Sequence, residues 1–288
     1  MFQGKTKKTA VISGDLRQGI TGNIPGLICP VVLGLFFWAE FVIRLPAGFG
    51  KETATWGEWL LYVYGGMPKF IPAVGEPFVF PVRWMLIMVL ASYSVLYYPF
   101  RDMDTIGLQL LVRSQSRRLW WMSKIIWNIV YTCLFHFLMA GTGVFCSLFF
   151  GFPVSLKIEL TMLQEMMKLD YEGIRWGIKT MGFVAVFVPM LISAAVNQTQ
   201  MMLSLIIKPL YAFIVSIFIY LSSAYYQVIF LPGNYAMILR LEPVGESGLY
   251  PVAGWAVGAG LALASAGLGT YIFVCRYDIL AGNQKITS

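Results

Sequence analysis

Residues 251–275 read PVAGWAVGAGLALASAGLGTYIFVC, an uninterrupted run without a charged side chain. An α-helix needs about 20 mostly apolar residues to cross the hydrocarbon core of a bilayer, so this run predicts a transmembrane helix. Gly254, Gly258 and Ala262 recur at every fourth position within it. Small residues at this spacing let a neighbouring helix approach closely, and we predict that they form a helix-packing face.

The composition of the whole chain points the same way. Apolar residues make up 58 % of the sequence and charged residues only 12 %, and the mean hydropathy is +0.71. Soluble domains contain about 25 % charged residues. A chain with half that share has too few polar side chains to cover a soluble surface of this size, which indicates a membrane protein.

Five more apolar stretches are predicted to span the membrane. They cover residues 23–45, 82–100, 121–150, 177–198 and 200–225. The polar run at 197–200 is short, so the fourth and fifth spans are expected to form a tight antiparallel hairpin. The fold class is therefore all-α, with residues 1–288 forming one transmembrane domain of six helices.

The segments between the spans carry weaker patterns. Residues 1–22 predict an interfacial helix, because apolar residues recur there at helical spacing among basic ones. The loop at 46–81 is rich in aromatic residues that could anchor it at the interface, and 155–170 predicts an amphipathic surface helix. Residues 226–242 are apolar but are interrupted by a Pro-Gly pair, which predicts a re-entrant hairpin of two short helices.

The distribution of charge predicts the orientation. Eleven Lys or Arg residues and four acids lie in the N-terminus, the connector between spans two and three, and the C-terminal tail. The other loops, with their flanks, hold nine Lys or Arg residues and ten acids. Basic residues collect on the cytoplasmic side of membrane proteins, so both termini and the connector are expected there. These cytoplasmic basic residues account for the pI of 9.2 without a nucleic-acid partner.

The sequence contains none of the common catalytic or nucleotide-binding motifs. It has no GxxxxGK[ST] phosphate loop, no HExxH and no GxSxG. The four cysteines lie in or beside apolar stretches without a CxxC pair, so we interpret them as small apolar residues. We expect no catalytic residue, metal or cofactor in this chain, and no enzymatic activity of its own.

Two ionisable residues inside predicted spans are candidates for a transport pathway. His136 lies in the middle of span three, where it could relay protons or simply be packed, and no carboxylate lies within four residues of it. Lys208 precedes Pro209 inside span five. It could be functional, or its long side chain could reach the cytoplasmic interface.

The connector at 101–120 is the largest internal feature on the predicted cytoplasmic side. Asp104 or Thr105 can cap a short helix that would present Ile106, Leu108 and Leu111 to a partner. Arg113, Arg117, Arg118 and Lys124 would then mark the membrane surface, with Trp120 and Trp121 at the headgroup level. An ordinary positively charged cytoplasmic loop explains the same residues.

The connector ends in SRRLWWMSK, residues 116–124, and the last span is followed by RYDI, residues 276–279. These motifs, together with the interfacial helix, six spans and a re-entrant hairpin before the last one, resemble the bacterial type 2 ATP-binding-cassette (ABC) exporter permeases. The layout covers the whole chain, although the long first outer loop and the helix at 155–170 depart from common members.

This resemblance implies a function, partners and a location. A permease of this kind pairs with a second permease copy or homologue and with separate ABC ATPase subunits, which bind ATP and magnesium. It would lie in the plasma membrane and export an amphipathic cargo such as a peptide, toxin or drug. The ATPase-coupling residues would be the connector residues Asp104, Thr105, Ile106, Leu108, Leu111, Arg113, Arg117 and Arg118.

Other classes of membrane protein remain open. An ion-coupled secondary transporter would carry buried acids and repeated halves, and neither is evident in the sequence. An intramembrane enzyme would need a cluster of His, Asp, Glu or Cys residues within the spans. An assembly or immunity protein without transport activity is compatible with the same pattern.

Overall fold

The computed structural model describes residues 2–72, 78–103, 116–156, 178–241 and 248–277, together with positions 158, 162, 165 and 166. The predicted coupling residues Asp104, Thr105, Ile106, Leu108, Leu111 and Arg113 lie outside this part of the chain. So does most of the helix predicted at 155–170.

The described residues form helices, and an isolated β-bridge joins Leu241 to Leu249. This confirms the all-α fold class. The helices are α1 (Phe2–Thr21), α2 (Ile24–Ile43), α3 (Trp56–Tyr64), α4 (Val82–Ser94), α5 (Tyr98–Met103), α6 (Arg117–Phe150), α7 (Ile178–Leu203), α8 (Pro209–Tyr225) and α9 (Pro251–Cys275).

Five of these elements are long and apolar enough to cross a membrane: α2, the combined α4 and α5, α6, α7 and α9. The chain is thus consistent with a membrane protein. Helix α8 is apolar but has only 17 residues. The pair α4 and α5 is interrupted by a short turn at 95–97 within the predicted second span.

Helix α6 is the longest element and has a clear signal at each end. Ser116 precedes it, and its hydroxyl accepts a hydrogen bond from the Leu119 amide at 3.3 Å, as expected of an N-cap. Gly151 ends it with φ +78°, a left-handed conformation that glycine adopts without steric cost. The helix therefore begins before the predicted span at 121–150 and contains all of it.

Helix α3 corrects the prediction for the loop at 46–81. Its residues Gly57–Tyr64 are all buried in the core instead of anchoring an interfacial loop. A helix that is apolar on all sides is stable only when neighbours surround it, and α2, α4, α6 and α7 do so. A capping box between Thr55 and Glu58 satisfies its first amides.

The predicted turn at 197–200 is also wrong. Helix α7 continues through these residues to Leu203, and the chain breaks at 204–208 before Pro209 begins α8. Asn197, Gln198 and Gln200 are buried. Polar side chains had suggested a turn at the membrane surface, but here they face neighbouring helices inside the bundle.

The re-entrant hairpin predicted at 226–242 does not appear as two short apolar helices. Pro232–Ala236 and Ile238–Arg240 form 3-10 turns instead, and both turns are buried. Short, irregular backbone at membrane depth must be enclosed by protein. Contacts with α7, α8 and α9 enclose the first of these turns.

Arg240 holds this irregular segment in place. Its guanidinium group donates to the carbonyl oxygens of Ala224, at 2.5 Å, and of Ser223, both in the last turn of α8. It also donates to the carbonyl oxygen of Met67 at 3.1 Å. A cation near the C-terminus of a helix is favourable because the final carbonyl groups carry partial negative charge.

The closest packing between long helices joins α9 to α7. Gly258 lies so near Leu191 that a Cβ atom built there would be 2.9 Å from the leucine Cγ, and at Gly254 it would be 3.0 Å from Tyr235. The next buried small residues are Ser265 and Gly269, while Ala262 is half-buried. Four residues rotate an α-helix by about 400°, which is more than one full turn. Residues at a strict four-residue spacing therefore drift around the helix, and Ala262 lies beside the line of contact.

Candidate functional site

One end of the bundle gathers the segments next to the connector. It is formed by α5, the first turns of α6, the last turns of α1 and α9, and the end of α7, and we call it the connector end. Buried residues from α5, α6, α7 and α9 pack together there around Phe100, Trp121, Leu205 and Phe273. The chain leaves this end after Met103 and returns to it at Ser116.

A buried ion cluster ties three elements together at the connector end. The Lys124 ammonium group contacts carboxylate oxygens of Asp15 and, at 2.5 Å, of Asp102. All three side chains are at most 2 % exposed. The Tyr98 hydroxyl donates to Asp15 at 2.9 Å, and the Gln18 amide donates to Asp102 at 3.4 Å. Burying charges is costly unless they are paired, and this arrangement pairs them.

The contact between α1 and α6 depends on a glycine. Gly19 faces the rings of Trp127 and Tyr98 so closely that a Cβ atom could not be placed there without displacing them. Those two rings lie 4.2 Å apart. Because Asp15 and Gly19 are four residues apart, they share one face of α1. The ion cluster and this aromatic contact therefore fix the same face of the N-terminal helix.

The two sequence motifs that carry the family resemblance meet at this end. Trp120 and Trp121 stack on Phe273 of α9, with ring centroids 4.9 and 5.3 Å apart. The Arg117 guanidinium donates to the carbonyl oxygen of Tyr277 at 3.0 Å. The tryptophans are 3 % and 1 % exposed, so their predicted role as headgroup anchors is wrong.

Lys124 likewise does not mark the membrane surface, because Asp15 and Asp102 neutralise it inside the protein. Arg118 is exposed and Arg117 half-buried. Sequence patterns could not reveal this pairing, since the three charged residues are far apart in the chain. The available signal was Asp15 itself, an acid among the apolar positions Ile12, Leu16 and Ile20 of α1.

A second set of buried polar groups lies further along α6, between α4 and α7. The Ser92 hydroxyl donates to the side-chain oxygen of Asn197 at 2.6 Å, and the Asn197 amide donates to Thr132 at 2.9 Å. Asn128 donates to the backbone oxygen of Asn197 at 3.2 Å. Gln200 donates to the backbone oxygen of Ser92 at 3.0 Å. We call these five residues the polar core.

Several buried polar atoms around the polar core have no hydrogen-bond partner among the described residues. Both side-chain polar atoms of Gln198 are in this position, although the residue is 0 % exposed. The other such atoms near α7 are Gln200 Oε1 and Asn128 Oδ1. Buried polar groups are normally satisfied by protein or ordered water. The hydrogen bonding of this region is therefore incomplete among the described residues.

His136 and Lys208, the two predicted pathway residues, lie in different environments. His136 is fully buried, and its Nδ1 shares a hydrogen bond of 2.9 Å with the Tyr64 hydroxyl. Its Nε2 has no partner in the described part of the chain. Lys208 is exposed at the start of α8, not inside a span, because the chain breaks before Pro209.

The polar positions on α6 form one line. Lys124, Asn128, Thr132 and His136 are each four residues apart, and each is 0 % exposed. Residues at this spacing lie on one side of a helix. A file of polar side chains therefore extends from the ion cluster through the polar core to the Tyr64–His136 pair.

A second charged group lies away from the connector end. The Glu40 carboxylate accepts from Arg44 at 3.0 Å and from Arg83 at 3.1 Å. Arg83 also donates to the Tyr62 hydroxyl at 3.0 Å. Burial raises the pKa of Tyr62 to about 12, with the Arg83 charge opposing this rise and Glu40 adding to it. The phenol is therefore neutral at ordinary pH.

No group of three or more His, Cys, Asp or Glu side chains that could hold a metal ion occurs in the part of the chain that the structure describes. Comparison with known proteins adds no assignment. No family model matches the chain, and no curated protein or solved structure matches it either.

Proposed function

We propose that this chain is the membrane-spanning permease subunit of an ATP-driven ABC exporter. The observation that carries the proposal is the connector end, where the ion cluster joins α1 and α5 to α6 beside the connector. Arg117, in one of the two motifs that resemble type 2 ABC permeases, also donates to the backbone oxygen of Tyr277 in the other. ATP and magnesium would bind to a separate ATPase subunit, and a second permease copy or homologue would complete the transporter.

The contacts at the connector end suit it to transmit a mechanical displacement. Residues 104–115 join α5 to α6, and both helices are fixed to Lys124 or its neighbours. Trp120 and Trp121 extend the connection to α9 through Phe273. A partner that moves the connector would therefore move α1, α5, α6 and the end of α9 together.

The polar core is where such a displacement would have its effect. Helices α4, α6 and α7 are joined there by uncharged side-chain hydrogen bonds, and several neighbouring polar atoms are unpartnered among the described residues. Exposing these groups to water would satisfy them, so separation of α6 from α7 is cheaper here than in an apolar core. We assign the polar part of the cargo pathway to this region, including His136.

The proposed topology has six spans with both termini in the cytoplasm. Helix α8 is the sixth candidate, and its 17 residues give a length of about 26 Å. This is shorter than the hydrocarbon core by a few ångströms, a mismatch that local thinning of the bilayer accommodates. The connector end would then face the cytoplasm, as coupling to an ATPase requires.

The proposal is tested by purifying the full-length chain from the membranes of the cell that makes it and measuring vanadate-sensitive ATP hydrolysis. The test variant replaces Ile106, Leu108 and Leu111 with serine. We expect it to insert normally and to lose the co-purifying ATPase activity, because these side chains would form the apolar contact with the ATPase.

The matched control replaces Ile71 and Val79 with serine. These apolar residues are 67 % and 72 % exposed and lie in the loop before α4, away from the connector. We expect this variant to retain the ATPase. Absence of ATPase activity with the unmodified chain, or equal retention by both variants, would overturn the proposal.

A further inference from the structure

The chain that follows α8 is apolar and exposed. The sequence contains no charged side chain between Lys208 and Arg240, and α8 covers only the first part of this run. Phe230, beyond the helix, is 87 % exposed, and Ile229 is 58 % exposed. An exposed apolar patch marks a surface that contacts lipid or another protein. Residues 226–230 therefore need an apolar environment outside the molecule.

Aromatic rings border this segment at the end of α8. The Tyr225 ring centroid lies 5.4 Å from that of Phe70 and 5.6 Å from that of Phe78, both in the loop before α4. The Tyr226 ring lies 4.7 Å from that of Tyr225 and is exposed. Aromatic side chains are enriched where a membrane span meets the headgroup layer. Since α8 starts beside Leu205 at the connector end, this patch lies at the opposite end of the bundle.

Three backbone carbonyl groups of the exposed segment have partners inside the protein. The Asn234 side-chain amide donates to the carbonyl oxygens of Tyr226 and Val228, both at 2.9 Å. The Tyr235 hydroxyl donates to that of Ile229 at 3.1 Å. Asn234 and Tyr235 are fully buried. Unpaired polar groups are what exclude irregular backbone from lipid, so these bonds make the segment compatible with a lipid environment.

We infer that residues 226–230 insert into the bilayer interface, where they contact the acyl chains of the leaflet opposite the connector end. The occupant is lipid because the patch continues the apolar surface of α8, on which Phe218 and Leu221 are also exposed. With 17 residues, α8 is about 26 Å long. A segment inserted at its end agrees with the local thinning of the bilayer that so short a span requires. The inference rests on the proposed crossing of the membrane by α8 and not on transport.

Spin labels distinguish lipid from water at this position, because oxygen concentrates in lipid and a polar nickel chelate stays in water. The native cysteines of the full-length protein are replaced by alanine, and a nitroxide is attached to Phe230→Cys in nanodiscs of phosphatidylethanolamine and phosphatidylglycerol. Reference labels are attached to Phe218→Cys in the middle of α8 and to Lys51→Cys in the exposed loop after α2. We expect the ratio of oxygen to nickel collision rates at position 230 to be well above that at 51 and to approach that at 218.

Each other outcome has a distinct meaning. A ratio at Phe230→Cys equal to that at Lys51→Cys would place the segment in water and overturn the inference. Few collisions with either reagent would show that protein covers the patch, as in a contact between two copies of the chain, and would overturn it too. A low ratio at Phe218→Cys would instead contradict the proposed crossing by α8. None of these results bears on coupling to an ATPase.

Asn234→Asp tests whether the carbonyl bonds keep the segment in lipid. The change preserves an oxygen that can accept from Arg240 but removes the donor to Tyr226 and Val228. Because a polar group that loses its partner away from water is destabilised, the collision-rate ratio at Phe230→Cys should fall toward the value in water. The ratio at the reference label in α8 should not change.

Asn23→Asp is the matched control. The Asn23 amide also donates to a backbone oxygen, that of Ser94, but it lies at the α1–α2 turn, far from the patch. We expect this variant to leave the ratio at Phe230→Cys unchanged. No fall in Asn234→Asp, or an equal fall in Asn23→Asp, would contradict the role assigned to Asn234.

Discussion

Lys124 shows how a single residue can join distant parts of this chain. Its ammonium group contacts carboxylates from α1 and α5 and lies 4.4 Å from the centre of the Tyr98 ring. Lys124 and the two carboxylates are almost completely buried. Helices α1 and α5 therefore both depend on α6 for the cation that pairs with their carboxylates.

Replacing Lys124 with methionine should strongly destabilise the protein. The change keeps the apolar side chain but leaves two buried carboxylates without their cation, which costs about 3–5 kcal/mol. Thermal unfolding of the purified protein in detergent would measure the effect. Arg118→Met is the matched control, because Arg118 is exposed in the first turn of α6, and its unfolding temperature should not change. A Lys124→Met variant as stable as this control would show that the cluster is not needed for folding.

Neighbouring amides on α7 should respond in opposite ways to the same substitution. Asn197→Leu removes hydrogen bonds to Ser92 and Thr132 and should cost about 1–3 kcal/mol for each partner left unsatisfied. Gln198→Leu removes a buried side chain without partners among the described residues, so stability should be unchanged or higher. Unfolding temperatures of the two variants provide the comparison. Equal losses would indicate that Gln198 is satisfied by internal water.

The helical elements differ in how well the sequence predicts them. A long apolar run predicts a spanning helix whichever helices surround it. Helix α9 occupies the residues predicted for the last span. Helix α3 was missed because nine residues are too few for a span, and their aromatic side chains are equally typical of an interface. Its stability comes from α6 and α7, which are remote in sequence.

The packing of α9 against α7 allows a direct test at the scale of elements. Gly258→Leu should separate these helices, because even a Cβ atom would lie 2.9 Å from Leu191. Gly260→Leu should be tolerated, since no atom lies within 4 Å of a Cβ atom built there. Disulfide formation between cysteines introduced at Thr199 and Ser265, whose hydroxyl groups are 2.8 Å apart, would report the helix separation. Similar crosslinking in both glycine variants would contradict this packing.

At the scale of the whole molecule, the sequence predicted only part of the candidate site. The sequence presents the motifs at 116–124 and 276–279 separately, and their contact through Arg117 required the structure. The roles of Asp15 and Asp102 were missed because ion pairing depends on distance in space. The polar core was missed because a short polar run such as 197–200 also indicates a turn between two spans.

The proposed orientation of the whole molecule predicts which side of the membrane each end faces. Cys275 is exposed near the end of α9, and an impermeant maleimide should label it only when the cytoplasmic side is accessible. A cysteine at Lys51, exposed in the loop after α2, should be labelled from outside intact cells. Single-cysteine variants in cells and in inverted vesicles would measure this. Labelling of both positions from the same side would exclude the six-span arrangement.

The enclosure of α3 also restricts the order of events during biosynthesis. Residues 56–64 leave the ribosome before α6 and α7 exist, yet these later helices provide much of the surface that buries Trp59 and Tyr64. The segment is too short to be retained by the translocon as a span of its own. Its burial can be completed only after α7 has been made. Until then a chaperone or a protease could act on the segment.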